Sequence, residues 1–114
     1  MTDMNALDIL TEARELLSDP DNWTRYTLAR DSEGVEVNTN HPDAVCWCAV
    51  GALFHTGVGL NEYGEMSPLW GVVDEALVRL HAASLHGSAI TDNDEYGHSE
   101  VMATYARAIM EYDQ

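Results

Sequence analysis

The chain has 114 residues, 20 acidic side chains against 5 basic ones and a formal net charge of -15, while 46% of its residues are hydrophobic. That length predicts one globular domain over 1–114, and the apolar share is too high for a disordered acidic tail. The basic residues are all arginines (Arg14, Arg25, Arg30, Arg79, Arg107), which excludes lysine Schiff-base chemistry, a P-loop and a polybasic surface; the excess negative charge also opposes direct nucleic-acid binding.

The N-terminal stretch MTDMNALDIL carries acids where a secretory signal needs basic residues, and no apolar run approaches the ~18 residues of a membrane span. The expectation is a cytoplasmic protein with no membrane association. Cys46 and Cys48, one residue apart, are expected to be free thiols.

Asn5 or Asp3 can cap a first helix over about residues 4–18, because Leu7, Ile9, Leu10, Ala13, Leu16 and Leu17 recur at helical spacing before Ser18-Asp19-Pro20-Asp21 ends it. Asp8, Glu12 and Glu15 fall in one row on the opposite, solvated face, with Arg14 among them. Residues 25–38 alternate around Asp31-Ser32-Glu33-Gly34, where Gly34 supplies the positive φ of a short loop. They predict a small hairpin that lays Leu28 and Val35 or Val37 against helices. Asn40-His41-Pro42-Asp43 reads as a helix start. The run AVCWCAVGALF is apolar on every side, so a buried second helix is expected over about 42–56, with Gly51 and Ala52 admitting a close neighbour.

Gly57-Val58-Gly59 ends that helix, a loop runs through Gly64, and Ser67-Pro68 starts a third helix to about residue 84, with a stripe of Leu69, Val72, Val73, Ala76, Leu77, Leu80 and Ala83. An acidic turn, Thr91 to Gly97, precedes a fourth helix over about 98–112 that buries Val101, Met102, Tyr105, Ala108, Ile109 and Tyr112. The expected fold is mainly α: a compact four-helix domain with one small β-hairpin between helices one and two.

The acidic turn matches a calcium loop at Asp92, Asp94, Gly97 and Glu100 but fails at Tyr96 and Ala103, where the fifth and twelfth ligands belong. Its plainer role is structural, with Asn93 and Asp94 folding the turn and capping helix four. On a helix Cys46 and Cys48 point about 200° apart and cannot share an ion, so both read as small buried hydrophobes. His41, His55, His81, His86 and His98 form no catalytic motif, and Cys48, His55 and Asp94 make a triad only on paper. No enzymatic activity and no cofactor are expected. Trp23, Trp47 and Trp70 read as core anchors.

Trp23, Ala29-Arg30-Asp31, Gly34, the run Ala44-Val45-Cys46-Trp47-Cys48-Ala49-Val50-Gly51-Ala52-Leu53, Asn93-Asp94, Glu100-Val101 and Ala108-Ile109 together resemble the DUF6197 family from about residue 6 to 110. The resemblance brings no activity. It implies a bacterial or phage origin and a shared framework of Trp47, Cys48, Gly51 and Asn93-Asp94. The chain departs from the pattern at Asp92, which stands where a tryptophan often precedes the Asn-Asp pair.

Two functions are expected from different classes. The first is an acidic protein-interaction module, of the kind a phage encodes as an inhibitor, that engages a basic host protein by imitating nucleic-acid charge through Asp8, Glu12, Glu15, Asp92, Asp94 and Glu95. Acids occur in both halves, nine with three arginines through residue 36 and eleven with two arginines beyond it. The second is a small-molecule or divalent-metal-binding domain built on the acidic turn 92–98 with His98. Acidity that serves only solubility is the plainest reading of all.

Overall fold

Asn5 opens the first element: its Oδ1 accepts from the Asp8 amide at 2.9 Å while Asp8 Oδ2 accepts from the Asn5 amide at 3.1 Å. This reciprocal pair satisfies two amides that a helix start otherwise leaves without partners. The helix it starts, α1 (Ala6–Leu17), buries Ala6, Ile9, Leu10, Ala13 and Leu17 and turns Glu12, Arg14 and Glu15 to solvent. A 3-10 turn (Pro20–Asn22) follows, with Asp19 accepting from the Asp21 amide. The computed structural model describes residues 5–57 and 70–112. The Asp3 cap, the loop through Gly64, the Ser67-Pro68 helix start, Leu69 and the Trp70 side chain lie outside the described residues.

Strand β1 (Ala29–Asp31) pairs antiparallel with β2 (Ala44–Trp47), Ala29 opposite Trp47 and Arg30 opposite Cys46. The expected hairpin is therefore corrected. Gly34 does take a φ of 83° in a turn closed by its amide to Asp31 O, but the returning segment makes only an isolated bridge, Arg30 to Glu36. The lasting partner of β1 comes from 44–47. Leu28 and Val35 stay exposed, and Val37 alone of the three packs on the core.

The start of the expected second helix is corrected by the same finding. Asn40–Asp43 is a turn in which His41 Nδ1 accepts from the Asp43 amide, and Ala44–Trp47 is extended, with Val45 exposed and Trp47 buried. An apolar run of this length has no period that separates strand from helix, and its valine and tryptophan pack well on a pleated surface. Helix α2 (Ala49–Gly57) begins seven residues later than expected.

α3 (Trp70–Ala83) and α5 (His98–Glu111) match the stripes read from sequence, burying Val73, Ala76, Leu80 and Ala83 on one and Val101, Tyr105 and Ala108 on the other. α1 packs on α2, α3 and α5, and α3 packs on α5 and α2. Each fully buried leucine, isoleucine or valine of this core contributes roughly 1.5–3 kcal/mol. The fold is mainly helical with a small two-stranded sheet between α1 and α2 in the chain, as expected, but it has five α segments among the described residues, not four. The addition is α4 (Ala89–Thr91), capped by Ser88 and running on into a π turn (Asp92–Tyr96) that the Gly97 amide closes onto Asp92 O. No helix among the described residues is long and apolar enough to cross a membrane.

Candidate functional site

The start of α2 is where distant parts of the chain meet. Cys48 occupies its cap: its amide donates to Leu28 O, its carbonyl accepts from Ala52 N, and its Sγ accepts from the Gly51 amide at 3.2 Å. The first helical amide, Ala49 N, is capped from 44 residues away by Asn93 Oδ1 at 2.8 Å. That same oxygen accepts from Trp23 Nε1 at 2.6 Å, and Asn93 Nδ2 donates to Thr24 O and to Asp94 Oδ1, both at 3.0 Å. Asn93 is buried and its amide group is fully used, which fixes its orientation as the only one that matches donors to acceptors. Tyr105, fully buried, donates its hydroxyl to Ala49 O at 2.6 Å at the same helix start.

Burial pushes the Cys48 thiol above its ordinary value; the Gly51 and Val50 amides pull it down, and the nearby charge of Asp94 pushes it further up. Burial raises the Tyr105 hydroxyl well above its ordinary value. Cys48 is thus a protonated, weakly nucleophilic thiol at neutral pH.

At this helix start lies a cavity of about 160 Å³ lined by Tyr26, Thr27, Leu28, Cys48, Val50, Ile90, Asn93 and Asp94. Three of its wall residues are large apolar side chains left open to solvent: Tyr26 at 66%, Ile90 at 54% and Leu28 at 44%. Tyr26 has a φ of 71°, a conformation that costs a tyrosine roughly 1–2 kcal/mol, and no other non-glycine described residue has a positive φ. Asp94 Oδ1 holds it there by accepting from the Tyr26 amide at 2.9 Å. Asp94 Oδ2 makes no hydrogen bond among the described residues. Beside the cavity, the Arg25 guanidinium lies 5.1 Å from the Trp23 ring centroid and 5.6 Å from that of Tyr26. A π turn, a strained aromatic and an open apolar rim over a polar floor are each features that accompany binding sites.

The acids singled out from sequence fare differently. Glu12, Glu15 and Glu95 are exposed. Asp8 is half-buried and spends its carboxylate on the helix cap. Asp92 is fully buried, Oδ1 accepting from Ser84 Oγ at 2.9 Å and Oδ2 from Thr104 Oγ1 at 2.7 Å. It fills an interior position with a hydrogen-bonded carboxylate and presents nothing to a partner. Asp94 is half-buried and belongs to the cavity.

The acidic turn does not gather one ion site. His98 Nε2 donates to Leu17 O at 2.6 Å, at the end of α1, while Asp92 lies within 4.8 Å of His86 and Glu100 instead. His86 Nε2 meets Glu100 Oε2 at 3.0 Å, and Arg107 stands 3.9 Å from the same carboxylate. Nor do Asn93 and Asp94 cap the last helix, as expected; Gly97 does so with a φ of 94° and no side-chain bond. His55 turns to Thr39 O and lies tilted against the Trp47 ring, so the paper triad dissolves. Cys46, on β2, approaches Arg30 O and shares no ligand cluster with Cys48 among the described residues.

A model described as a family of unknown function, DUF6197, matches residues 1–111, and the chain belongs to that family. No curated protein and no solved structure matches the chain. The framework that the resemblance implied (Trp47, Cys48, Gly51, Asn93 and Asp94) lies around the start of α2. Tyr26 and Ile90 carried no signal in the sequence.

Proposed function

We propose, for this member of a family of unknown function, that the protein is an acidic interaction module that binds a basic protein partner and uses the groove at the start of α2 as its contact. The observation that carries the reading is how the cations are spent. Arg30 donates to Thr24 Oγ1, Gly34 O and Arg25 O; Arg107 donates to Ala83 O and Thr104 Oγ1; Arg79 pairs with Glu75 and lies over Tyr112; Arg25 covers Trp23 and Tyr26. Among the described residues only Arg14 stands exposed with no hydrogen bond, ion pair or ring contact, against a net charge of -15. Such a field steers cationic partners toward the surface from any approach.

Exposed acids stand on nearly every part of the chain: Glu12 and Glu15 on α1, Asp19 and Asp21 after it, Glu33, Glu36 and Asp43 in the loops, Asp74 and Glu75 on α3, and Glu111 on α5. These acids sit on several elements rather than one, so we assign attraction to the whole surface and specificity to the groove. The experiment is capture from a nuclease-treated bacterial lysate on the immobilised protein, with a salt gradient and a duplex-DNA competition arm. One basic protein leaving as salt rises is expected, and its displacement by DNA would identify it as a nucleic-acid-binding protein. Capture of neutral or acidic proteins that resist salt would contradict the reading.

The second reading, a divalent ion or small molecule, finds support not in the acidic turn 92–98 itself but in the group His86, Asp92 and Glu100, of which only Asp92 belongs to the turn. It is the weaker one, because both Asp92 oxygens are taken by hydroxyls and Arg107 already supplies positive charge beside Glu100.

A further inference from the structure

We infer that the groove receives one arginine side chain from the basic partner, its guanidinium against Asp94 and Tyr26 and its stem between Leu28, Val50 and Ile90. This inference rests on the proposed binding of a basic protein and names the group that is recognised. Size is the first argument. About 160 Å³ is well below the ~300–1,000 Å³ of small-molecule sites, and suits a single long side chain. Chemistry is the second: apolar walls match a methylene stem, and the Asp94 carboxylate lining the same cavity, whose Oδ1 alone accepts hydrogen bonds among the described residues, matches a cationic head. The aromatic is the third. A planar guanidinium stacks on a tyrosine ring better than an ammonium does, and the chain's own Arg25 already lies near the Tyr26 and Trp23 rings. The surrounding net charge of -15 favours a cation over any anionic or neutral peg of the same shape. Buried, pocketed arginine anchors of this kind are where interface energy concentrates.

The test uses n-butylguanidinium as a stand-in for the arginine side chain, titrated into the ¹⁵N-labelled full chain, with n-butylurea as the neutral isostere and n-butylammonium as the point-charge control. Expected are saturable shifts at Tyr26, Asp94 and the Trp23 indole N–H, with binding at least tenfold tighter for the guanidinium than for the urea and weaker for the ammonium. Asp94→Asn, which keeps the Oδ1 acceptor for the Tyr26 amide, and Ile90→Ser, at an exposed wall, each weaken it severalfold; the spectra themselves report that both variants are folded. Arg25→Ala, which removes a competing cation from the Tyr26 ring, tightens it. Equal binding of the urea, or unsaturated shifts scattered over all exposed acids, would overturn the inference. If those results appear while a basic protein is still captured from lysate, the arginine peg fails alone; if capture fails as well, the proposed function falls with it.

Discussion

Asn93 shows how much one side chain can hold. Its amide group caps α2, orients Trp23, satisfies Thr24 O and aligns Asp94. Truncation to alanine strands the buried Ala49 amide, the half-buried Trp23 indole N–H and Thr24 O, each unmet group costing about 1–3 kcal/mol before relaxation. Asn93→Ala should therefore lower unfolding stability by about 3 kcal/mol in urea titration, whereas Glu95→Ala, two residues on and exposed, should stay within about 0.5 kcal/mol. The two raised acids below it give a pH dependence of definite sign. Cys48 and Tyr105 both have folded values above their ordinary ones of 9.0 and 10.0. Their stabilising contribution is complete below those ordinary values and is lost as pH climbs through the folded ones, because only the unfolded chain deprotonates easily. The urea midpoint should hold steady from pH 7 to 8, fall above about pH 9, and fall less steeply in Cys48→Ala combined with Tyr105→Phe.

At the scale of elements, the junction between the sheet and α2 is set by a close approach. A Cβ on Gly51 would overlap the Leu28 carbonyl oxygen, a backbone atom that itself accepts from Cys48 N and has little room to move. Gly51→Ala should cost about 2–3 kcal/mol in spite of alanine's better helix propensity, measured as a lowered denaturation midpoint; a gain would show that β1 and α2 do not meet as described. Sequence alone made α1, α3 and α5 legible because each alternates apolar and polar residues at 3.6-residue spacing over three or more turns. It hid β2, since Ala44 to Leu53 has no polar residue to reveal a period, and it offered 35–38 as the nearer partner for β1. The candidate site was half legible. Asn93 and Asp94 stood out as turn formers, but that they cap α2 and hold Tyr26 depends on contacts spanning 44 and 68 residues, which no local pattern encodes. The positive φ of Tyr26 is imposed by those contacts against its own preference.

For the whole molecule, the proposed function divides labour between field and groove. Charge spread over the surface raises the rate of encounter with cations and weakens with ionic strength, since exposed charges are screened beyond ~8–10 Å near physiological salt; a pocketed contact governs how long the complex lasts. The most direct measurement sets wild type and Asp94→Asn side by side as baits in the same nuclease-treated lysate, quantifying what each retains at two salt concentrations. The account predicts a basic protein on wild type that declines with salt and is depleted severalfold on Asp94→Asn at either concentration. Equal retention of the same proteins on both baits, or retention indifferent to salt, would contradict it.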